Sequence, residues 1–301
     1  MTYKNYSLTF AALGFVLSVG SLLSADILAY EGFAADATGS GANYEENTIL
    51  QFIDKTRTGF TGDWYDSDAG ISSNVNSRSL SGGLSYANYA GGTPGMAEPF
   101  RDAGIAGTGK VLSRSLAPIS STVLDSSGKY YFSALIDFNS APGGGVGFAS
   151  AGSRDNDFIY DGSLVTFQSG GNSGQSTTFT PMAGTNLVVV EYTNDTTGNG
   201  SLSNAYYTRW NLYVNPDLSD GNLSGDLTAT GFGIGFLENT ATAGPSDLRL
   251  NMNNLAAGDS VFVDEVYFTT DASDFILIPE PTSLLLLLGA GLAILVFRKR
   301  S

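Results

Sequence analysis

An all-β body folded as an antiparallel β-sandwich is what this sequence predicts for residues 26–278 of its 301. Three observations carry the expectation. Segments rich in β-branched and aromatic residues recur, and several alternate apolar and polar with a period of two. Clusters of Gly, Asn, Asp and Ser, as at 169–174 and 194–201, separate them, and these are turn chemistry. No stretch of the body carries an apolar stripe at helical spacing, and strands without helical crossovers pair antiparallel.

In chain order, the candidate strands are 109–116, 129–138 (KYYFSALIDF), 144–151, 158–167, 186–193 (NLVVVEYT), 206–215 (YYTRWNLYVN), 231–238, 247–252 and 260–269 (SVFVDEVYFT). In the last of these, strict alternation puts Val261, Val263, Glu265 and Tyr267 on one face. Phe262, Asp264, Val266 and Phe268, the more apolar set, take the other. A body of this length buries a sizeable core without disulfides, and no linker divides it.

Composition removes whole classes of function. The chain has no His and no Cys, so it has no Ser-His-Asp triad, Cys-His dyad, His/Cys zinc site or thiol redox chemistry. Its 14 basic and 29 acidic residues give a formal charge of -15, which argues against nucleic acid as a partner.

The ends carry topology. Residues 1–25 hold one charge, Lys4, then an apolar run from Leu8 to Leu23 and small residues at Ser24 and Ala25. This is the pattern of a secretory signal peptide cleaved between Ala25 and Asp26. Asp26 stands where lipoprotein processing needs Cys. At the other end come Pro279, Glu280 and Pro281, then an uncharged apolar stretch at 283–297, then Arg298, Lys299 and Arg300. Fifteen helical residues span roughly 23 Å, and flanking cations that snorkel extend the reach toward the ~30 Å hydrocarbon core. A C-terminal transmembrane helix is therefore expected, with its basic end cytoplasmic and the body outside. Without the two ends the body holds 10 basic and 28 acidic residues, a net of -18.

The Pro-Glu-Pro triplet, the short apolar segment and the terminal basic cluster, in that order over residues 279–301, resemble the PEP-CTERM sorting tail of Gram-negative bacteria. The resemblance implies export, transient retention in the inner membrane, and recognition of Pro279, Glu280 and Pro281 by an exosortase. That enzyme would remove the tail and pass the protein to the cell surface or extracellular matrix. Two prolines keep the triplet extended, so a protease can grip its backbone. The body resembles the concanavalin/laminin-G-like jelly-roll domains common on such proteins. The matching words are LAYEGF at 28–33, GFTGDW at 59–64, GLSY at 83–86, YFS at 131–133, LYVNP at 212–216 and VDEV at 263–266. Phe60 stands where a second Trp is usual.

Without His and Cys, hydrolytic machinery would have to be a carboxylate pair. The Glu-x-Asp-x-x-Glu run of laminarinase-type jelly rolls is missing, and adjacent Asp264 and Glu265 should point to opposite faces. No cofactor is expected; the alternative is calcium, with Asp155, Asp157 and Asp161 as its candidate ligands, against a competing reading that gives these residues to turns. Trp64, Tyr65, Tyr86 and Tyr89 are candidate sugar platforms; the competing reading places them in the core. The expected role is a non-enzymatic surface or matrix protein, structural, adhesive or exopolysaccharide-associating. Its rivals are a secreted polysaccharide-active enzyme using Asp/Glu, and a permanent inner-membrane protein with a periplasmic domain.

Overall fold

The computed structural model describes residues 27–41, 43–66, 75–91, 94–102, 111–117, 128–150, 154–169, 175–193, 205–206, 209–223, 226–232, 236–237, 245–252 and 255–277. The signal segment with Ala25 and Asp26, the whole sorting triplet, and the apolar and basic tail lie outside these residues. Among the described residues, no helix is long and apolar enough to cross a membrane.

In chain order the strands are β1 (Ile27–Glu31), β2 (Ala35–Asp36), β3 (Tyr44–Glu45), β4 (Phe60–Asp66), β5 (Val75–Leu80), β6 (Met96–Arg101) and β7 (Val111–Leu116). The chain continues with β8 (Lys129–Asp137), β9 (Gly145–Ser150), β10 (Arg154–Tyr160), β11 (Val165–Gln168), β12 (Ser176–Phe179) and β13 (Thr185–Thr193). It closes with β14 (Ala205–Tyr206), β15 (Arg209–Val214), β16 (Leu227–Phe232), β17 (Phe236–Leu237), β18 (Pro245–Asn251) and β19 (Phe262–Thr269). One antiparallel sheet runs β16-β15-β13-β8-β19-β6-β5, with β1 also on β19; a second runs β12-β11-β10-β9-β18-β7-β4.

The main core lies between these sheets. Phe132, Ile136, Val188, Val190 and Leu212 from the first meet Val146, Phe148, Phe158, Leu248 and Leu250 from the second. This is the arrangement of a β-sandwich, consistent with the jelly roll that the resemblance implies. The alternating words behave as expected. In β8, Tyr130, Phe132, Ala134 and Ile136 face that core, whereas Tyr131 and Leu135 join a second cluster with Leu187, Val189 and Tyr213. Leu84, Tyr86 and Tyr89 from the segment before β6, and Phe275 and Ile276 after β19, cover the second cluster.

Two sequence expectations are corrected. The candidate strand at 158–167 is a hairpin, β10 and β11, turned at Asp161 and Gly162 (φ 104). Asp161 Oδ1 accepts the backbone N–H of Ser163 and of Leu164, each at 2.8 Å, and so closes the turn. Strict alternation also fails in β19, because a β-bulge falls between Asp264 and Tyr267 and Glu265 adopts φ 49. The residues facing the main core are therefore Val261, Val263, Val266 and Phe268.

Candidate functional site

Two buried carboxylate sites occupy the two faces of the β1–β19 pair. Between the sheets, Glu31 on β1 reaches Arg114 on β7. Arg114 Nη1 donates to Glu31 Oε2 at 2.7 Å, and Arg57 Nε donates to Oε1 at 2.9 Å. Tyr44 Oη and the Phe33 N–H also donate to Glu31, and Trp64 Nε1 donates to Tyr44 Oη at 3.0 Å. Arg114 lies over the Phe60 and Trp64 rings, 5.3 and 5.9 Å from their centroids. Burial and the Glu31 charge push the Tyr44 hydroxyl well above its ordinary pKa, so it stays a neutral donor.

On the opposite face, the bulge brings Asp264 and Glu265 under the same covering segment. Asp264 Oδ2 accepts the Leu84 N–H at 2.9 Å, and Oδ1 accepts the Glu265 N–H at 2.8 Å. Tyr30 Oη donates to Glu265 Oε2, and Tyr89 Oη donates to the Glu265 carbonyl at 2.8 Å. Gly91 passes so close that a Cβ there would lie 2.7 Å from Glu265 Cδ. The expectation that these carboxylates point to opposite faces is thus overturned. Burial first, and then the Glu265 charge, pushes the Asp264 carboxyl up to about 9. A neutral acid beside a carboxylate could serve acid–base chemistry, but both residues are fully buried.

The bulge occupies the place where β19 changes neighbours. Before it, β19 lies against β6, with Val263 opposite Ala97; after it, β19 pairs β1 from Val266 onward. The segment at 81–91 lies over that junction and is held there by the bonds just named.

The expected sugar platforms are not brought together. Trp64 is 0% exposed and Tyr89 5%, because both rings are needed to fill the cores beside Glu31 and Glu265; these two expectations are corrected. Tyr65 is half-buried and donates to Asp247 Oδ1 at 2.6 Å, and Tyr86, also half-buried, donates to the Pro216 carbonyl. Phe52, which the sequence did not single out, is 72% exposed at φ 65.

Nor do Asp157 and Asp161, the two candidate calcium ligands whose side chains are described, converge. Asp157 is buried on β10 with Arg249 4.0 Å away, whereas the Asp161 carboxylate is committed to its own turn and held below its ordinary pKa by the Leu164 and Ser163 N–H groups. Asp155 lies on β10, and its side chain is outside the described residues. Among the described residues, no three acidic side chains group as a metal site.

The second cluster ends where Ile276 bridges Tyr89 and the Leu277 N–H donates to the Asn88 carbonyl at 2.7 Å. Residues 277–301 match the PEP-CTERM protein-sorting motif. The chain carries a PEP-CTERM sorting tail. The motif indicates exosortase-dependent sorting of an exported protein to the cell surface. No curated protein matches the chain. Solved structures similar to it include the receptor binding domain of botulinum neurotoxin C/D mosaic serotype and the botulinum neurotoxin serotype D binding domain. Each has 10% identity and a TM-score of 0.37, over 75% of this chain and 48% of theirs. The botulinum neurotoxin type G receptor binding domain is similar at 8% identity and a TM-score of 0.34, over the same shares. The chain spans about half the length of these proteins, and at such scores they assign it no ligand or activity.

Proposed function

We propose that this is an exported protein of a Gram-negative bacterium whose 26–278 body acts, after exosortase processing, as a non-enzymatic, glycan-associating module at the cell surface or in the extracellular matrix. A signal peptide at 1–25 starts export. The apolar stretch at 283–297 holds the chain transiently in the inner membrane, with Arg298, Lys299 and Arg300 as the cytoplasmic stop. The carrying observation is the junction. The last described bonds of the body fall at Ile276 and Leu277, and the matched motif starts at 277. Cleavage near Pro279, Glu280 and Pro281 would therefore release the body without removing a strand. The burial of Asp264 and Glu265 supports a binding or structural role over carboxylate catalysis.

Mass spectrometry of the surface fraction tests this reading. The mature chain should lack Arg298–Ser301, and Glu280→Ala should leave the full-length chain in the membrane fraction. Finding the basic end still attached in surface material would overturn the sorting reading. Reducing-sugar release from any member of a polysaccharide panel would overturn the non-enzymatic one.

A further inference from the structure

At one end of the sandwich, a cavity of about 350 Å³ lies between the turn after β8, the end of β10 and the 181–184 loop before β13. Asp137, Asn139, Ser140, Tyr160 and Met182 line it. The geometry points to a binding site for one or two units of a neutral glycan; this inference rests on the glycan-associating reading above and assigns it a place.

The walls are fixed before any ligand arrives. Asn139 and Ser140 adopt φ 45 and 54, and the Ala141 N–H donates to the Phe138 carbonyl at 2.7 Å, which is tight hairpin-turn geometry. Across the cavity, buried Asn186 holds the loop with its whole amide. Its Oδ1 accepts the Met182 N–H and Asn215 Nδ2, and its Nδ2 donates to the Met182 and Gly184 carbonyls, all at 2.8–3.0 Å. The Met182 backbone is thus clamped on both sides while its side chain stays 52% exposed at the cavity mouth. Below it, the Tyr160 ring packs on Phe138 at 5.5 Å and its hydroxyl donates to the Gly162 carbonyl. A pre-organised wall spares a ligand the ordering cost that weakens binding to mobile loops.

The chemistry of the lining selects the ligand class. Among the described residues lining it, Asp137 alone carries a charged side chain. Asp137 Oδ1 accepts the Asn139 N–H at 2.8 Å, leaving Oδ2 as an acceptor turned to no described partner. A carboxylate oxygen takes a charge-assisted hydrogen bond from a sugar hydroxyl. The Asn139 amide and Ser140 hydroxyl both donate and accept. Met182 offers apolar surface for the C–H face of a ring, over the buried Tyr160 ring. With no cation among the described lining residues and a net of -18 on the body, acidic glycans are repelled. The volume lies at the low end for small-molecule sites, which suits about one or two rings.

The test is titration calorimetry of the full chain in a detergent without a sugar headgroup, using maltotriose, cellotriose and trigalacturonate as probes. At least one neutral trisaccharide should bind, with trigalacturonate ~10-fold weaker or undetectable. Asp137→Ala and Met182→Ala should each weaken the neutral probe by ~5–10-fold. The Met182 change touches an exposed side chain and should leave the melting temperature unmoved. If the wild type binds a neutral probe and both variants bind it equally well, the cavity is wrong and glycan association stands. Retention of the chain on polysaccharide gels without binding of either neutral probe has the same meaning. Tighter binding of trigalacturonate overturns the ligand class, and failure to be retained on any polysaccharide gel overturns both the cavity and the glycan-associating reading.

Discussion

Glu31 and the Asp264–Glu265 pair are all fully buried, on opposite faces of the same two paired strands, yet the fold handles their charge differently. Glu31 is met by two guanidinium groups between the sheets. Asp264 is met by a neighbouring carboxylate and backbone N–H groups, and it keeps its proton instead. A cation-matched carboxylate ties the two sheets together. A buried carboxyl beside a second carboxylate instead makes folding depend on its staying protonated.

The largest effect should come from the Glu31 side. Glu31→Gln leaves Arg114, itself 1% exposed, facing a neutral amide; unfolding free energy should fall by ~3–5 kcal/mol, measured by urea denaturation. A loss below about 1 kcal/mol would mean that the ion pair does not hold the sheets. The Asp264 side should show itself in pH dependence. Its folded pKa of about 9 lies above the ordinary 3.8, so the folded state binds the extra proton. The stabilisation it gives is complete below about pH 4 and drains as pH rises toward about 9, by at most ~1.4 kcal/mol per unit. Asp264→Asn should flatten that slope. It should cost ~1 kcal/mol at pH 4, where an amide nitrogen cannot accept the Leu84 N–H, and stabilise at pH 9. An unchanged slope would assign the pH dependence to other groups.

Tyr30→Phe probes the same side more gently. Removing the hydroxyl that donates to Glu265 should cost ~1.5–3 kcal/mol, read from thermal or urea unfolding at neutral pH. The smallest change is expected at Arg78–Glu98, an ion pair on the paired strands β5 and β6 whose arginine is 39% exposed. Arg78→Ala should cost less than ~1 kcal/mol, and less still in high salt. If it matched Glu31→Gln, burial would not be what separates the two classes of pair.

These sites also mark how far the sequence could be read. The β8 and β13 words announce themselves because apolar side chains fall on both faces, and each face has a core to fill. β5, with sequence VNSRSL, was invisible. Asn76, Ser77 and Ser79 are buried there, yet a polar strand carries no hydrophobic period. The β19 bulge was equally hidden, since it needs a non-glycine residue, Glu265, in a left-handed conformation that composition does not announce. Glu31 and Arg114 are 83 residues apart, and only pairing of the two sheets makes them a unit. The words LAYEGF, GFTGDW and VDEV hold Glu31, Trp64 and the bulge, all of them buried in this fold. Of the tail, the whole motif was legible, because its three parts are local in sequence.

The bridge between Ile276 and Tyr89 has a mechanical meaning. A pull along the tail, from a membrane or a processing enzyme, reaches the body at Leu277. Its bond to Asn88 and the neighbouring bridge would open one after the other, like a strip being peeled. β19, paired along β8 and β1, would instead have to slip its bonds together, in shear. The first length of chain to yield is therefore 275–277, with the buried Phe275 ring as the catch. The body would tolerate tugging at its C-terminus by giving up that short lead while both sheets stay closed.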